Sequence, residues 1–120
     1  MNIQTETRAG VDIVRPAGRI DSSNAGAFER AIGEVLDRGC GSLVLDFSQI
    51  EYISSAGLRS TLIAGKRMRA IAGGRLALCL LAPQVREIFE ISGFLAIFTI
   101  CASLEAALLA CQGDGAADGG

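Results

Sequence analysis

One stretch of the chain gathers most of the residue types that do chemistry: Asp46-Phe47-Ser48-Gln49-Ile50-Glu51-Tyr52-Ile53-Ser54-Ser55-Ala56-Gly57-Leu58-Arg59. It joins the end of an apolar run, Leu43-Val44-Leu45, to the start of an amphipathic segment. In open α/β sheets, functional groups collect at the carboxyl ends of strands. Asp46 and Ser55 both stand at such a place, and Asp21 follows a second strand end that belongs to the same edge. Ser55 at a helix start has two readings. Its hydroxyl is either an N-cap or the acceptor of a phosphoryl group. Free helix N–H groups and the helix dipole would tolerate a phosphate there at little folding cost, and the modification would add about −1.5 to −2 of charge to the surface. Ser54, one residue earlier, is the rival acceptor. Asp46 and Asp21 likewise have two readings, as a carboxylate pair for metal or acid–base work, or as a strand-end cap and a turn residue.

The chain has no His. That removes the commonest general base and the commonest metal ligand together. No Ser-His-Asp or Cys-His group can be assembled from it alone, so no catalytic residue, no cofactor and no metal site is assigned, and the chain is not expected to be an enzyme. Cys40, Cys79, Cys101 and Cys111 form no C-x-x-C pair. Cys79 and Cys101 lie in apolar runs, which fits buried, reduced thiols better than a disulfide framework or a zinc site.

These groups need elements to hold them. Ile3–Arg8 alternates and predicts a strand with one wet face at an edge. Ala9-Gly10 is a turn, and Val11–Arg15 completes a hairpin. Pro16 ends the second strand or places it at an edge or bulge, and Gly18-Arg19-Ile20-Asp21 leaves the sheet. Ser22, Ser23 and Asn24 are all N-cap types before a helix over 25–38, whose Phe28, Ala31, Ile32, Val35 and Leu36 share one stripe. Gly39 and Gly41 close it. Residues 42–47 predict a central strand buried on both faces, and residues 50–54 a loop. A second helix opens at Ser54 or Ser55, runs to about Ala72, and stops at Gly73-Gly74. Residues 75–81 predict another buried strand, Pro83–Ser92 a short helix with Pro in its first turn, residues 97–100 a last strand, and 104–111 a final helix capped by Ser103. Domain boundaries are 1–112 for the folded domain and 113–120 for a flexible Gly/Ala/Asp tail. The order β-β-α-β-α-β-α-β-α implies an α/β domain with a mixed, mostly parallel sheet and about four helices.

Projected at 100° per residue, the second helix has two distinct sides. Leu58, Thr61, Leu62, Ala64, Gly65, Met68, Ile71 and Ala72 form the core side. Ser55, Arg59, Ile63, Lys66 and Ala70 gather on the other, with Arg67 flanking. Ile63 is an apolar residue among cations beside a candidate switch serine, which suits a docking surface for an acidic partner. Arg59 is four residues on from Ser55 and could pair with a phosphate there.

At 120 residues the chain is one domain. Half of it is apolar, the mean hydropathy is +0.41, and the net charge is only −2. That composition excludes wholesale disorder and lacks the basic excess of a nucleic-acid binder. Aromatics at 5% without Trp leave no base-stacking platform. The polar N-terminus shows no signal-peptide pattern, and the longest apolar stretch, 76–83, is too short to span a bilayer. The chain is therefore expected to be cytoplasmic, with no membrane insertion and no nucleic-acid partner.

Three pieces resemble the STAS domain family of anti-sigma factor antagonists: Gly18-Arg19-Ile20-Asp21, Leu43-Val44-Leu45-Asp46-Phe47-Ser48, and Tyr52-Ile53-Ser54-Ser55-Ala56-Gly57-Leu58. The resemblance covers about residues 1–112. It implies that the unphosphorylated protein binds an anti-sigma factor that is itself a serine kinase. That kinase phosphorylates the loop serine and breaks the complex, and a metal-dependent serine phosphatase restores it. It also implies that Ser55 is the acceptor and that Asp21 lies near it at the kinase interface. With Gly57 and the Arg59-Ile63-Lys66 side projected above, Asp21 and Ser55 make up the expected partner-binding site. Ser54 stands where many members have Asp, and Ala56 where many have a second Ser. A different STAS role, as accessory subunit of a lipid-transport ATPase without phosphorylation, is the alternative.

Overall fold

A computed structural model describes the backbone of residues 1–119 and the side chains of residues 1–112. The tail expected over 113–120 lies outside the residues whose side chains are described. Six strands form one sheet: β1 (Asn2–Arg8), β2 (Val11–Ile20), β3 (Ser42–Asp46), β4 (Gln49–Ile53), β5 (Arg75–Cys79) and β6 (Thr99–Cys101). The helices are α1 (Ala25–Asp37), α2 (Ser55–Arg69), α3 (Pro83–Ile91) and α4 (Leu104–Gly119), with a 3₁₀ turn at Phe94–Ala96. The strand order is β1-β2-β3-β5-β6, and β4 pairs with β2 beside that path. Only β1–β2 is antiparallel, so the expected mixed, mostly parallel sheet with four helices is present.

The hairpin turn at Ala9-Gly10 has both residues at positive φ, 54° and 79°. That geometry matches the twist of the flanking strands, and a small residue and a glycine adopt it at low cost. Two expectations need correction. β2 does not stop at Pro16. It continues to Ile20 because it changes partner there: Asp12–Val14 pair with β3, and Ala17–Ile20 pair with β4. Pro16, which has no N–H to give, falls between the two ladders, and the register shifts between Gly18 and Arg19. The segment 50–54 is not a loop, since its first four residues belong to β4, a strand of the sheet. A tight turn closed by Ile50 N–H to Phe47 O (3.0 Å) carries the chain out of β3 and across to β2.

Each face of the sheet is covered by apolar helix surface. On one face α1, α2 and α3 bury Phe28, Ile32, Leu58, Met68 and Phe89 against Val14, Ile20, Leu43 and Leu45. On the other, α4 sets Ala107 and Cys111 against Val11, Ile13, Val44 and Ala77. β3 is central, and Leu43, Val44 and Leu45 are wholly buried, as a strand covered on both faces must be. Ser103 caps α4, its hydroxyl accepting from the Ala106 N–H at 3.0 Å.

The four cysteines are free thiols, with Cys101 half-buried and the others buried. Burial pushes the thiols of Cys40 and Cys79 up to about 12 and that of Cys111 to about 11, so none is poised as a nucleophile. Among the described residues no three His, Cys, Asp or Glu side chains gather as a metal site, and no helix is long and apolar enough to cross a membrane.

Candidate functional site

The site is built where two parallel strands end together. Ile20 of β2 is the neighbour of Ile53 of β4, and the Ser54 N–H donates to the Ile20 carbonyl at 2.8 Å. Asp21 and Ser54 therefore leave the sheet side by side, one toward α1 and the other into α2. The two serines divide the work. Ser54 is extended (φ −91°, ψ 177°), and its hydroxyl accepts from the Gly57 N–H at 3.5 Å. Its carbonyl accepts from the Leu58 N–H at 2.9 Å. Ser54 is thus the N-cap, and Ser55, one residue on, is the first helical residue and is exposed. Of the two readings of Ser55, the cap is the one the structure gives to its neighbour.

Gly57 is buried under this corner. A Cβ there would lie 2.6 Å from Ile53 Cγ1 and 2.8 Å from Ile20 Cγ2, closer than real atoms approach. Its job is to let α2 start directly over the two strand ends. Being buried, it supports the expected partner-binding side from beneath.

Asp21 sits in a self-contained loop. Its Oδ1 accepts from the hydroxyl of Ser23 and from the Ser23 N–H. Asn24 Oδ1 accepts from the Asp21 N–H at 2.9 Å, and Asn24 Nδ2 donates to the Arg19 carbonyl at 2.7 Å. The Ser23 hydroxyl, with the N–H beside it, holds the Asp21 carboxyl below its usual 3.8. Asp21 is half-buried, and its backbone leaves the sheet next to Ser54, where α2 begins.

Asp46 goes elsewhere. The pairing of Val14 with Leu45 sets Asp46 beside Arg15, six residues before Asp21 along β2, or about 20 Å at the usual rise of a strand. Arg15 Nε donates to Asp46 Oδ2 at 2.8 Å, Arg15 also reaches Glu6 at 3.2 Å, and Asp46 Oδ1 accepts from the Ser48 N–H at 2.9 Å. The two aspartates are not a carboxylate pair. Asp46 is a buried strand-end anchor.

The outer side of α2 is as projected. Ser55, Arg59, Ile63, Lys66 and Arg67 are exposed, and Ile63 is 37% exposed. Leu58, Thr61, Ala64, Gly65 and Met68 are buried, while Leu62 and Ile71 are half-buried and Ala72 is exposed. Arg67 is tied to Asp37 of α1 at 3.0 Å. Two residues of the site were not singled out from the sequence. A groove of about 350 Å³ runs between the starts of α1 and α2, lined by Ala25, Glu29, Ser55, Ala56, Arg59 and Ser60. The Ser60 hydroxyl donates to Glu29 Oε1 at 2.9 Å. Glu29 and Ser60 are 31 residues apart, and only the packing of α1 on α2 brings them together.

A family model for the STAS domain matches residues 2–107. The protein BtrV of Bordetella bronchiseptica, which bears the name of an anti-sigma factor antagonist, is 43% identical over 110 residues, covering 92% of this chain and 94% of BtrV. An anti-sigma F factor antagonist of Paenibacillus polymyxa is 27% identical over 101 residues, 83% of this chain and 86% of that one. The crystal structure of an anti-sigma factor antagonist from Mycobacterium paratuberculosis superposes with a TM-score of 0.86 at 27% identity, covering 92% and 93% of the two chains. The chain belongs to the STAS domain family, alongside the anti-sigma factor antagonists.

Proposed function

We propose that this protein is an anti-sigma factor antagonist that works by partner switching. Unphosphorylated, it docks on an anti-sigma factor that is a serine kinase, through Asp21, Ser55, Arg59, Ile63 and Lys66, with Gly57 setting the corner beneath them. The kinase transfers the γ-phosphoryl group of ATP to Ser55 Oγ. The O–P bond forms, ADP leaves and the hydroxyl proton is released. The added charge on the docking face breaks the complex, and a metal-dependent serine phosphatase resets it. The protein itself is the substrate and has no catalytic role.

The observation that carries this reading is the split between the two serines. Ser54 caps α2, and Ser55 is exposed with its hydroxyl in no hydrogen bond among the described residues, one turn from an exposed Arg59 and two turns from an exposed Ile63. A phosphoryl group there need not unfold the helix, and the N-terminal end of a helix favours it.

The test is to incubate the protein with ATP and a kinase-type anti-sigma factor from the same organism, then measure intact mass and map the site. One phosphoryl group on Ser55 is expected, absent in Ser55→Ala, and Ser55→Glu should lose the complex. A phosphate on Ser54 would move the acceptor. Absence of both phosphorylation and complex would overturn the reading, and co-purification with a lipid-transport ATPase would replace it.

A further inference from the structure

The groove between α1 and α2 has a charge pattern that bears on what a phosphoryl group on Ser55 would do. Among the described residues two charged side chains line it, Arg59 and Glu29. Arg59 is one turn beyond Ser55 on the same helix face, within reach of its side chain. Glu29 stands on the α1 wall and is held there by the Ser60 hydroxyl at 2.9 Å. Neither belongs to an ion pair among the described residues, whereas Arg67, further along the same helix pair, is matched to Asp37. A cation and an anion, neither ion-paired among the described residues, thus line the same groove as one exposed hydroxyl.

We propose that a phosphoryl group on Ser55 is captured within the chain by Arg59, and that Glu29, anchored by Ser60, is the opposing charge that steers it there. The guanidinium offers a planar fork to phosphate oxygens. Glu29 repels the same oxygens and closes the α1 side of the groove to them. Ser60, whose hydroxyl already donates to Glu29, is not a competing donor. Modification then acts twice on the docking face: it adds negative charge at Ser55 and withdraws Arg59 from whatever partner it served. This rests on Ser55 being the acceptor. It adds the fate of the phosphate and the role of Glu29.

The experiment places phosphoserine at position 55 during synthesis, with no kinase involved, and follows the phosphorus NMR shift through the second ionisation near about pH 6. The dianion is favoured by Arg59 and disfavoured by Glu29. Arg59→Gln should raise that pKa by about half a unit, and Glu29→Gln should lower it by about 0.3 units. Both shifts should shrink in about 1 M salt, where the Debye length is about 3 Å. Glu29→Gln keeps an oxygen for the Ser60 hydroxyl, and an unchanged Tm verifies that the fold is retained. An unmoved pKa in Arg59→Gln overturns capture. An unmoved or raised pKa in Glu29→Gln overturns the steering role. If a kinase instead modifies Ser54 alone, the switch reading at Ser55 fails while the titration still reports on the groove.

Discussion

Ser54 commits its hydroxyl to the Gly57 N–H, and that bond, at 3.5 Å, is long. Losing it should cost toward the lower end of the range for N-caps, about 0.5 kcal/mol. Ser54→Ala is therefore expected to lower Tm by only a few degrees while the phosphoryl group still maps to Ser55. A large drop, or loss of modification, would show that Ser54 does more than cap. Gly57 is less forgiving. The atoms a Cβ would meet belong to Ile53 and Ile20, β-branched residues stiff at χ1. Gly57→Ala should destabilise by about 1–3 kcal/mol, read as a lower urea midpoint. A midpoint equal to wild type would mean that the α2 corner has slack the packing does not suggest.

At the level of elements, the Arg15 side chain joins three strands. It lies on β2, contacts Glu6 of β1 and holds Asp46 at the end of β3. Burial pushes the Asp46 carboxyl upward, and the bonds from Arg15 and from the Ser48 N–H more than reverse it, so it titrates below 3.8. The ionised form is the one that folding favours. Its stabilisation is complete above about 3.8, where the unfolded chain's group is already ionised, and is lost as pH falls from there through the lower folded value. Asp46→Asn keeps an acceptor for Ser48 and removes the charge facing Arg15. A cost of about 2 kcal/mol is expected at neutral pH, below the usual range for a broken buried pair because Arg15 keeps Glu6. Urea titrations of both proteins should show that gap narrowing as pH falls below 3.8. A gap that does not vary with pH would mean the ion pair adds nothing.

Across the whole molecule, every phenylalanine of the chain stands in one continuous cluster. Phe28 of α1 meets Phe47, Phe47 meets Phe89 of α3, and Phe89 meets Phe94 and Phe98, with ring centroids 5.9–6.3 Å apart. Phe89 is fully buried and touches three of the four others. Phe89→Ala should cost about 3–5 kcal/mol, a large part of the roughly 5–15 kcal/mol a domain has in total. Thermal unfolding should show a Tm lowered by more than ten degrees. A fall of only two or three degrees would place the stabilising centre elsewhere.

The elements with strong local signals were legible in the sequence. The α1 stripe, the Pro83 start of α3, the Ser103 cap and the Leu43-Val44-Leu45 strand each follow from residue type and spacing along a few turns or one strand. The outer side of α2 was legible too, because helix periodicity alone separates Ile63 and Arg59 from Met68. The partner change in β2 was not, since Pro16 and Gly18 read locally as an ending and only the distant strand that pairs with Ala17–Ile20 makes them a continuation. β4 was hidden for the same reason: five residues after a two-residue turn acquire strand character from β2. The sequence by itself determined which residues are available for a switch, namely Ser54, Ser55, Asp21 and the cations of α2. The tertiary structure decided which serine caps and which is free, moved Asp46 away from Asp21 into an ion pair, and brought Glu29 across to Ser60. The last two outcomes rest on contacts between residues 31 positions apart, the first on the Ser54 N–H meeting the Ile20 carbonyl where β2 and β4 end, and no local pattern encodes the register that creates them.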